Sequence, residues 1–395
     1  MDFTKLKNFL DYMAEYRTPG CAVAVTLDGK PVYKYAAGVS DLDTKKPMTG
    51  DEYFNIYSCT KIAAVTAGAQ LLEQGIIDLN DPLSEYIPEF RHMTVKAKDG
   101  NIENAKNSIK VGHLFSMTAG FNYNFNCPSL VKLREESKNM FTTLDFARAL
   151  ANEPLSFEPG THWQYSLCHD VLGALISVVS GKTFGEYLQE NVFGPLEMSK
   201  TVFRHTDEIR SNMASQYRFI PDDPAELKLS DVEAQQKGSD NIGHFENVGM
   251  EVQGGYGGYP NYESGGAGIT TTVDDYVKLM AALSCGGIGK SGNRILSAKT
   301  VELMKCNRLS PELLKDLNWP HLVGYGYGLG VRTHIDKAKS GSIANLGEFG
   351  WGGAAGATAI MDTAERLGVF FVQHTLNPRE GWYQPRLRNV VYGCL

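Results

Sequence analysis

Phe3, Leu6, Leu10 and Met13 recur at helical spacing, so the chain is predicted to open with an amphipathic helix. Cys21 to Thr26 and Pro31 to Tyr35 are apolar runs flanking Leu27-Asp28-Gly29-Lys30, and Asp-Gly between two such runs signals a hairpin. Near the other end, Gly326 to Arg332, Ala355 to Met361 and Leu367 to Val372 read as three further strands, with Asp362 to Glu365 turning between the last two. Arg386 to Tyr392 reads as a final helix. Between about 60 and 260 the pattern is mostly helical and loop-like, including helical periods over Val171 to Val179 and Phe184 to Leu188, and Val273 to Leu283 is helical as well. These patterns predict an α/β fold with one antiparallel sheet built from both termini and a mostly helical insertion. Residues 1–75 with 265–395 would form the sheet subdomain and 76–264 the inserted one, with the active site between them. Ser230 to Gly268, rich in Gly, Tyr, Asn and Gln, is expected to be a loop lining a pocket.

At 395 residues and 43% hydrophobic, the chain can bury a core larger than one typical unit. Lysine and arginine number 38 against 45 acidic residues, a net charge of -7 without a basic cluster, which excludes nucleic acid as an expected partner. No apolar run reaches the roughly 20 residues of a membrane helix, and the N-terminal segment lacks a continuous apolar core of the signal-peptide kind. A soluble, cytoplasmic protein is expected, of unassigned oligomeric state. Seven scattered cysteines, odd in number and without a C-x-x-C pair, suggest neither disulfides nor zinc. Cys59 is expected to be a buried apolar thiol.

Tyr57-Ser58-Cys59-Thr60-Lys61 leads into a segment from Ile62 to Gly75 with almost no charge until its last turn and a glycine at the capping position. Such a helix is buried all round. Ser58 and Lys61, three apart, share a face, and a desolvated lysine at a helix N-terminus can serve as base to a serine. The helix dipole also favours the oxyanion formed on attack at a carbonyl. Spacing alone is weak, since S-x-x-K arises by chance about once in a chain of this length. Ser129-Leu130-Val131-Lys132 matches too, but runs into a charged, solvated helix and reads as a decoy. Ser58 by itself could equally be a helix N-cap.

The company of the motif resolves the choice. His113 to Phe121, Phe157 to Ser166 and Ser264 to Gly268 follow Ser58 in an order that resembles the penicillin-recognising serine hydrolases, the superfamily of class C β-lactamases and D-alanyl-D-alanine peptidases. Tyr165-Ser166-Leu167 through Gly173 and Phe349-Gly350-Trp351-Gly352-Gly353-Ala354 are similar to the tyrosine and W-G-G motifs of the family VIII carboxylesterases. The resemblance spans nearly the whole chain and implies a β-lactamase-like fold. It implies Ser58 as nucleophile, Lys61 and Tyr165 as proton-transfer partners, and the backbone N–H groups of Ser58 and Ala354 as the oxyanion hole. Tyr57, Leu167, His169, Trp351, Gly352 and Gly353 are the implied substrate contacts. A phenol beside a lysine ammonium has its anion favoured, so Tyr165 and Lys61 are expected to share a proton.

Where β-lactamases and peptidases carry a lysine and an asparagine, this chain has Trp351 and Leu167. Apolar groups at both places favour uncharged acyl groups or esters over carboxylate-bearing lactams. The expected activity is hydrolysis of small carboxylic esters through an acyl-enzyme, without metal or cofactor. β-Lactam or D-Ala-D-Ala amide hydrolysis, acyl transfer, and a non-catalytic sensor acylated at Ser58 are the alternatives. G-x-S-x-G and H-E-x-x-H are both absent from the sequence, which disfavours an α/β-hydrolase and a metallohydrolase.

Overall fold

In the computed structural model, residues 1–222, 243–253 and 255–395 are described. The large sheet takes three strands from the N-terminal part, β1 (Gly20–Leu27), β2 (Lys30–Asp41) and β3 (Lys46–Pro47). Five more come from the C-terminal part, β4 (Tyr325–Tyr327), β5 (Arg332–His334), β6 (Phe349–Gly352), β7 (Thr358–Asp362) and β8 (Leu367–Val372). Their order is β4-β5-β6-β7-β8-β1-β2-β3, and every adjacent pair is antiparallel. The β1–β2 turn has Asp28 at φ 49° and Gly29 at φ 72°, both left-handed, as the sequence predicts for a two-residue hairpin.

Helices cover both faces: α1 (Thr4–Tyr16), α2 (Thr60–Glu73), α3 (Cys168–Ser180), α4 (Val273–Ser284) and α5 (Glu380–Tyr392). Strand alternation sorts the core. Cys21, Val23 and Val25 of β1 with Leu367, Val369 and Phe371 of β8 pack against Leu6, Leu10 and Met13 of α1 and Leu387 and Val391 of α5. Ala22 and Ala24 of β1, with Phe370 and Val372 of β8, face the larger core that includes Tyr276 and Met280 of α4. β1 and β8 therefore read as continuous apolar runs because they are covered on both sides. Thr272 caps α4 by accepting from the Asp275 amide at 3.3 Å.

Beyond the sheet, α2 is buried along nearly its whole length and packs against α3 and the helix Val111–Ser116. The helices Thr143–Leu150 and Phe184–Leu188 pack against α3, and Pro128–Glu136 packs against Thr143–Leu150. This part also has strands: Thr94–Lys96 pairs with Ile102–Asn104, and Tyr217–Pro221 pairs with Gly243–Asn247 and Thr375–Leu376. Of the loop predicted over 230–268, residues 230–242 and 254 lie outside the described residues.

Two strand limits differ from the sequence reading. Within Gly326 to Arg332, residues 328–331 form a turn between β4 and β5, with Gly330 at φ 71°. β7 begins at Thr358, because Gly353 to Gly356 first make a turn in which the Gly356 amide donates to Gly353 O at 2.7 Å. The final helix starts at Glu380, six residues earlier than the pattern indicates.

Gly68 marks the closest approach of α2 to its neighbours. A Cβ there would lie 2.6 Å from Phe115 Cζ and 3.3 Å from Leu172 Cδ1. Gly68→Ala gains up to about 1 kcal/mol of helix propensity but overpacks a rigid, fully buried ring, which costs roughly 1–3 kcal/mol. The expected outcome is a lowered Tm in thermal unfolding; a raised Tm would show that the ring can yield.

Candidate active site

Ser58 lies in a single 3-10 turn, Tyr57–Cys59, that runs directly into α2. Tyr57 adopts φ 44°, an uncommon backbone for a bulky residue, and its side chain pays for it with partners of its own. The Tyr57 hydroxyl donates to Gln216 Oε1 at 2.8 Å and accepts from the Gln253 amide at 3.0 Å. The turn thus buries Tyr57 in one direction and leaves Ser58 partly open in the other.

Lys61, one turn into α2, is fully buried. Its Nζ donates to Ser58 Oγ at 3.1 Å and to the Gly266 carbonyl at 2.7 Å, and it lies 4.7 Å from the Tyr165 ring centroid. Desolvation drives its pKa from 10.5 down to about 7, against the pull of the Asp170 carboxylate. A neutral amine is therefore accessible near neutral pH.

Gly266 is held in turn by Asp170, on the first turn of α3. Asp170 Oδ1 accepts from Tyr262 Oη at 2.7 Å, Ser264 Oγ at 2.5 Å and the Gly266 amide at 3.3 Å. Side chains are excluded from this loop: a Cβ on Gly265 would lie 2.1 Å from His169 O, and one on Gly266 2.6 Å from Asp170 Oδ2. The Ser264–Gly268 motif thus presents a carbonyl to the lysine. Asp170 has no signal in the sequence beyond its place in the tyrosine motif.

Tyr165 is half-buried beside Ser58, and its hydroxyl accepts from Trp351 Nε1 at 2.9 Å. Burial raises its pKa, opposed by hydrogen bonds from Ser58, Trp351 and Tyr123. The expectation that lysine would favour the phenolate is thereby corrected: Lys61 meets the face of the ring, and desolvation keeps the phenol neutral. β6 brings Trp351 and Gly352, and the following Gly353 backs onto the serine turn so closely that a Cβ would lie 2.2 Å from Ile56 O. This approach sets Ala354 beside Ser58.

These groups open on a cavity of about 270 Å³. Ser58, Tyr165, Trp351, Gly352 and Ala354 line it, joined by Tyr123, Tyr256 and Trp319. Trp319 lies 5.2 Å from Tyr165 and 5.9 Å from Trp351 between ring centroids, and Tyr123 lies 5.4 Å from Tyr165. Tyr256 comes from the Gly- and Tyr-rich segment expected to line a pocket. Trp319 carries no such signal. A second cavity, of about 440 Å³, lies between the β1–β2 hairpin and α4 and contains none of the sequence-predicted residues.

Four predicted substrate contacts do not line the Ser58 cavity. Leu167, at the start of α3, is fully buried in the main core. His169 is also fully buried, its Nε2 3.4 Å from Phe115 O, and burial pushes its pKa down to about 3, so it is a neutral core histidine. Tyr57 turns away as described, and Gly353 acts through its closeness to Ile56. Ser129 has no part in the site: Lys132 Nζ lies 3.7 Å from Glu136, with side chains 71% and 69% exposed. Cys59 is buried, which raises its thiol pKa. Among the described residues no group of three His, Cys, Asp or Glu is placed to hold a metal, and no helix is long and apolar enough to cross a membrane.

The chain has relatives among known proteins. Protein Rv1367c of Mycobacterium tuberculosis is 29% identical over 348 residues, covering 85% of this chain and 81% of its own. Esterase EstB of Burkholderia gladioli is 26% identical over 394 residues, covering 96% and 92%. The solved structure of EstCE1, described as a hydrolase with promiscuous acyltransferase activity, superimposes with a TM-score of 0.77 at 26% identity over 98% of both chains. The Beta-lactamase family model matches residues 7–391, so with the sheet order and the serine turn in place the chain belongs to the beta-lactamase family.

Proposed function

We propose that the protein is a serine hydrolase that cleaves small carboxylic esters through an acyl-enzyme at Ser58. The observation that carries this reading is the buried Lys61 amine, 3.1 Å from Ser58 Oγ, with its pKa brought to about 7. A neutral amine has two N–H groups and one lone pair. Gly266 O takes one N–H, which leaves the lone pair free to face the Ser58 hydroxyl. Lys61 removes the proton as Oγ attacks the ester carbonyl, and the amides of Ser58 and Ala354 receive the developing oxyanion. Lys61 then returns the proton, through the Tyr165 hydroxyl, to the departing alcohol. Water repeats the sequence in reverse roles and frees the acid.

Esters are favoured over lactams because Trp351 occupies the place of a cation beside the nucleophile and donates its N–H to Tyr165. EstB, an esterase by name, supports the same substrate class. The aromatic wall of Trp319, Trp351, Tyr123 and Tyr256 suits apolar acyl or alkoxy groups. A cytoplasmic location is also proposed, supported by seven unpaired thiols, six of them buried. Interception of the acyl-enzyme by an alcohol is a second outcome of the same chemistry, favoured by this apolar wall and by the transferase activity in the description of EstCE1.

Ser58→Ala is expected to lower kcat for p-nitrophenyl acetate and butyrate by about 10³-fold or more, with Ser129→Ala at wild-type rates. Full activity in Ser58→Ala would remove the nucleophile assignment. Because the neutral amine is the base, kcat/KM should rise with pH through about 7. Lysine is charged in the unfolded chain up to pH 10.5 and loses its charge in the fold near 7, so its burial opposes folding most below pH 7 and ceases to do so above 10.5. Lys61→Met should therefore be inactive, yet gain stability relative to wild type at pH 6 and lose that gain toward pH 10; a Tm that falls at pH 6 contradicts the desolvated base. For acyl transfer, adding a primary alcohol to p-nitrophenyl butyrate turnover should yield the new butyrate ester by mass spectrometry, and butyric acid alone would exclude it.

A further inference from the structure

Resting on the acyl-enzyme reading, we propose that the end of the Ser58 cavity formed by Arg332 and Gln384 is a carboxylate subsite, so that the preferred substrates are half-esters of dicarboxylic acids. Arg332, on β5, lines the same cavity as Ser58 although it is only 1% exposed. Its Nη2 donates to Glu348 Oε1 at 2.9 Å and to Ala359 O at 3.4 Å. Nε and Nη1 have no acceptor among the described residues. Gln384, on α5, also lines the cavity and is 2% exposed, and its Nε2 has the Tyr383 hydroxyl as a polar partner but no hydrogen bond of good geometry. Buried donors without acceptors are costly, most of all on a cation, and a substrate oxygen would relieve both at once.

The charge around this end points to an anion. Arg388 on α5 is 1% exposed, its Nη2 donating to His321 O at 3.2 Å. Both guanidinium groups sit over the Tyr325 ring, at 5.4 and 4.9 Å, and the fully buried Glu348 pairs with Arg332 at 2.9 Å. His321, which lines the cavity, is pushed down to about 3 by burial and then by these two arginines, as expected of positive potential at the cavity floor. Glu380, one turn before Gln384 on α5, also lines the cavity, and a Gly352 Cβ would lie 2.7 Å from Gln384 Nε2 and 3.6 Å from Glu380 Oε1, so the Arg332 donors, and not this carboxylate, must hold the anion. Trp351 thus removes a cation from beside the nucleophile, while Arg332 supplies one further along the cavity.

The test compares kcat/KM of the full-length enzyme for monomethyl glutarate, dimethyl glutarate and methyl valerate. Wild type should prefer monomethyl glutarate to methyl valerate by tenfold or more, chiefly through KM. Arg332→Gln combined with Glu348→Gln, which removes both members of the ion pair, should abolish the preference, and Gln384→Leu should reduce it about threefold. Labelling of Ser58 by a fluorophosphonate reports in each variant that the fold and nucleophile persist. An equal rate for the two monoesters in wild type, or an unchanged ratio in the double variant, overturns the subsite. Dimethyl glutarate matching the half-ester overturns the carboxylate in favour of a neutral carbonyl. Failure to label Ser58 or to turn over any ester strikes the acyl-enzyme reading instead; the subsite is then decided by whether glutarate raises the Tm of wild type and not of the double variant.

Discussion

The site depends on keeping water away from one amine. Lys61 has no exposed surface, and an ammonium in that position is disfavoured enough that its proton is lost near neutrality. An exposed lysine would stay charged and useless as a base. The apolar sequence of α2, the rings of Tyr165 and Tyr123, and the loop at Gly266 all serve that exclusion. Asp170 works in the opposite direction electrostatically, yet it holds the loop that provides the second hydrogen-bond partner of the amine. Desolvation outweighs the carboxylate, and the balance brings the amine to the range that the proposed base requires.

The same wish for close approach explains the glycines around the site. Gly353 brings the end of β6 against the serine turn, and Gly265 and Gly266 let a loop lie on the start of α3. A side chain at any of them would lift one wall off another by ångströms, and hydrogen bonds near 3 Å do not survive such displacements. Trp351 adds a constraint of a different kind. By donating to the Tyr165 hydroxyl, it ties the wall of the cavity to the side chain proposed to carry the proton.

Ser58 was separable from Ser129 without coordinates because burial leaves a trace in local composition: fourteen residues of α2 carry little charge, whereas Lys132 runs into a charged helix and stays in water. The hairpin, both doubly covered strands and the amphipathic α1 were legible for the same reason, since each answers to a period of its own backbone. Leu167 and His169 misled because their nearness to Tyr165 along the chain says nothing about direction; α3 begins at Cys168 and turns both into the core. The turn within Gly326 to Arg332 was hidden because its glycines are compatible with an extended strand until neighbouring strands demand a reversal.

Local spacing was sufficient to place Ser58 and Lys61 in contact, as a helix brings residues three apart onto one face whatever surrounds it. It was also sufficient for the strands and most helices, whose periods repeat over a few residues. The amine pKa, the neutral state of Tyr165, and the presence of Trp319 and Arg332 at the cavity came from assembly. Desolvation sums over every atom nearby, and those atoms here come from segments more than a hundred residues apart, joined by a sheet whose two halves begin at opposite ends of the chain.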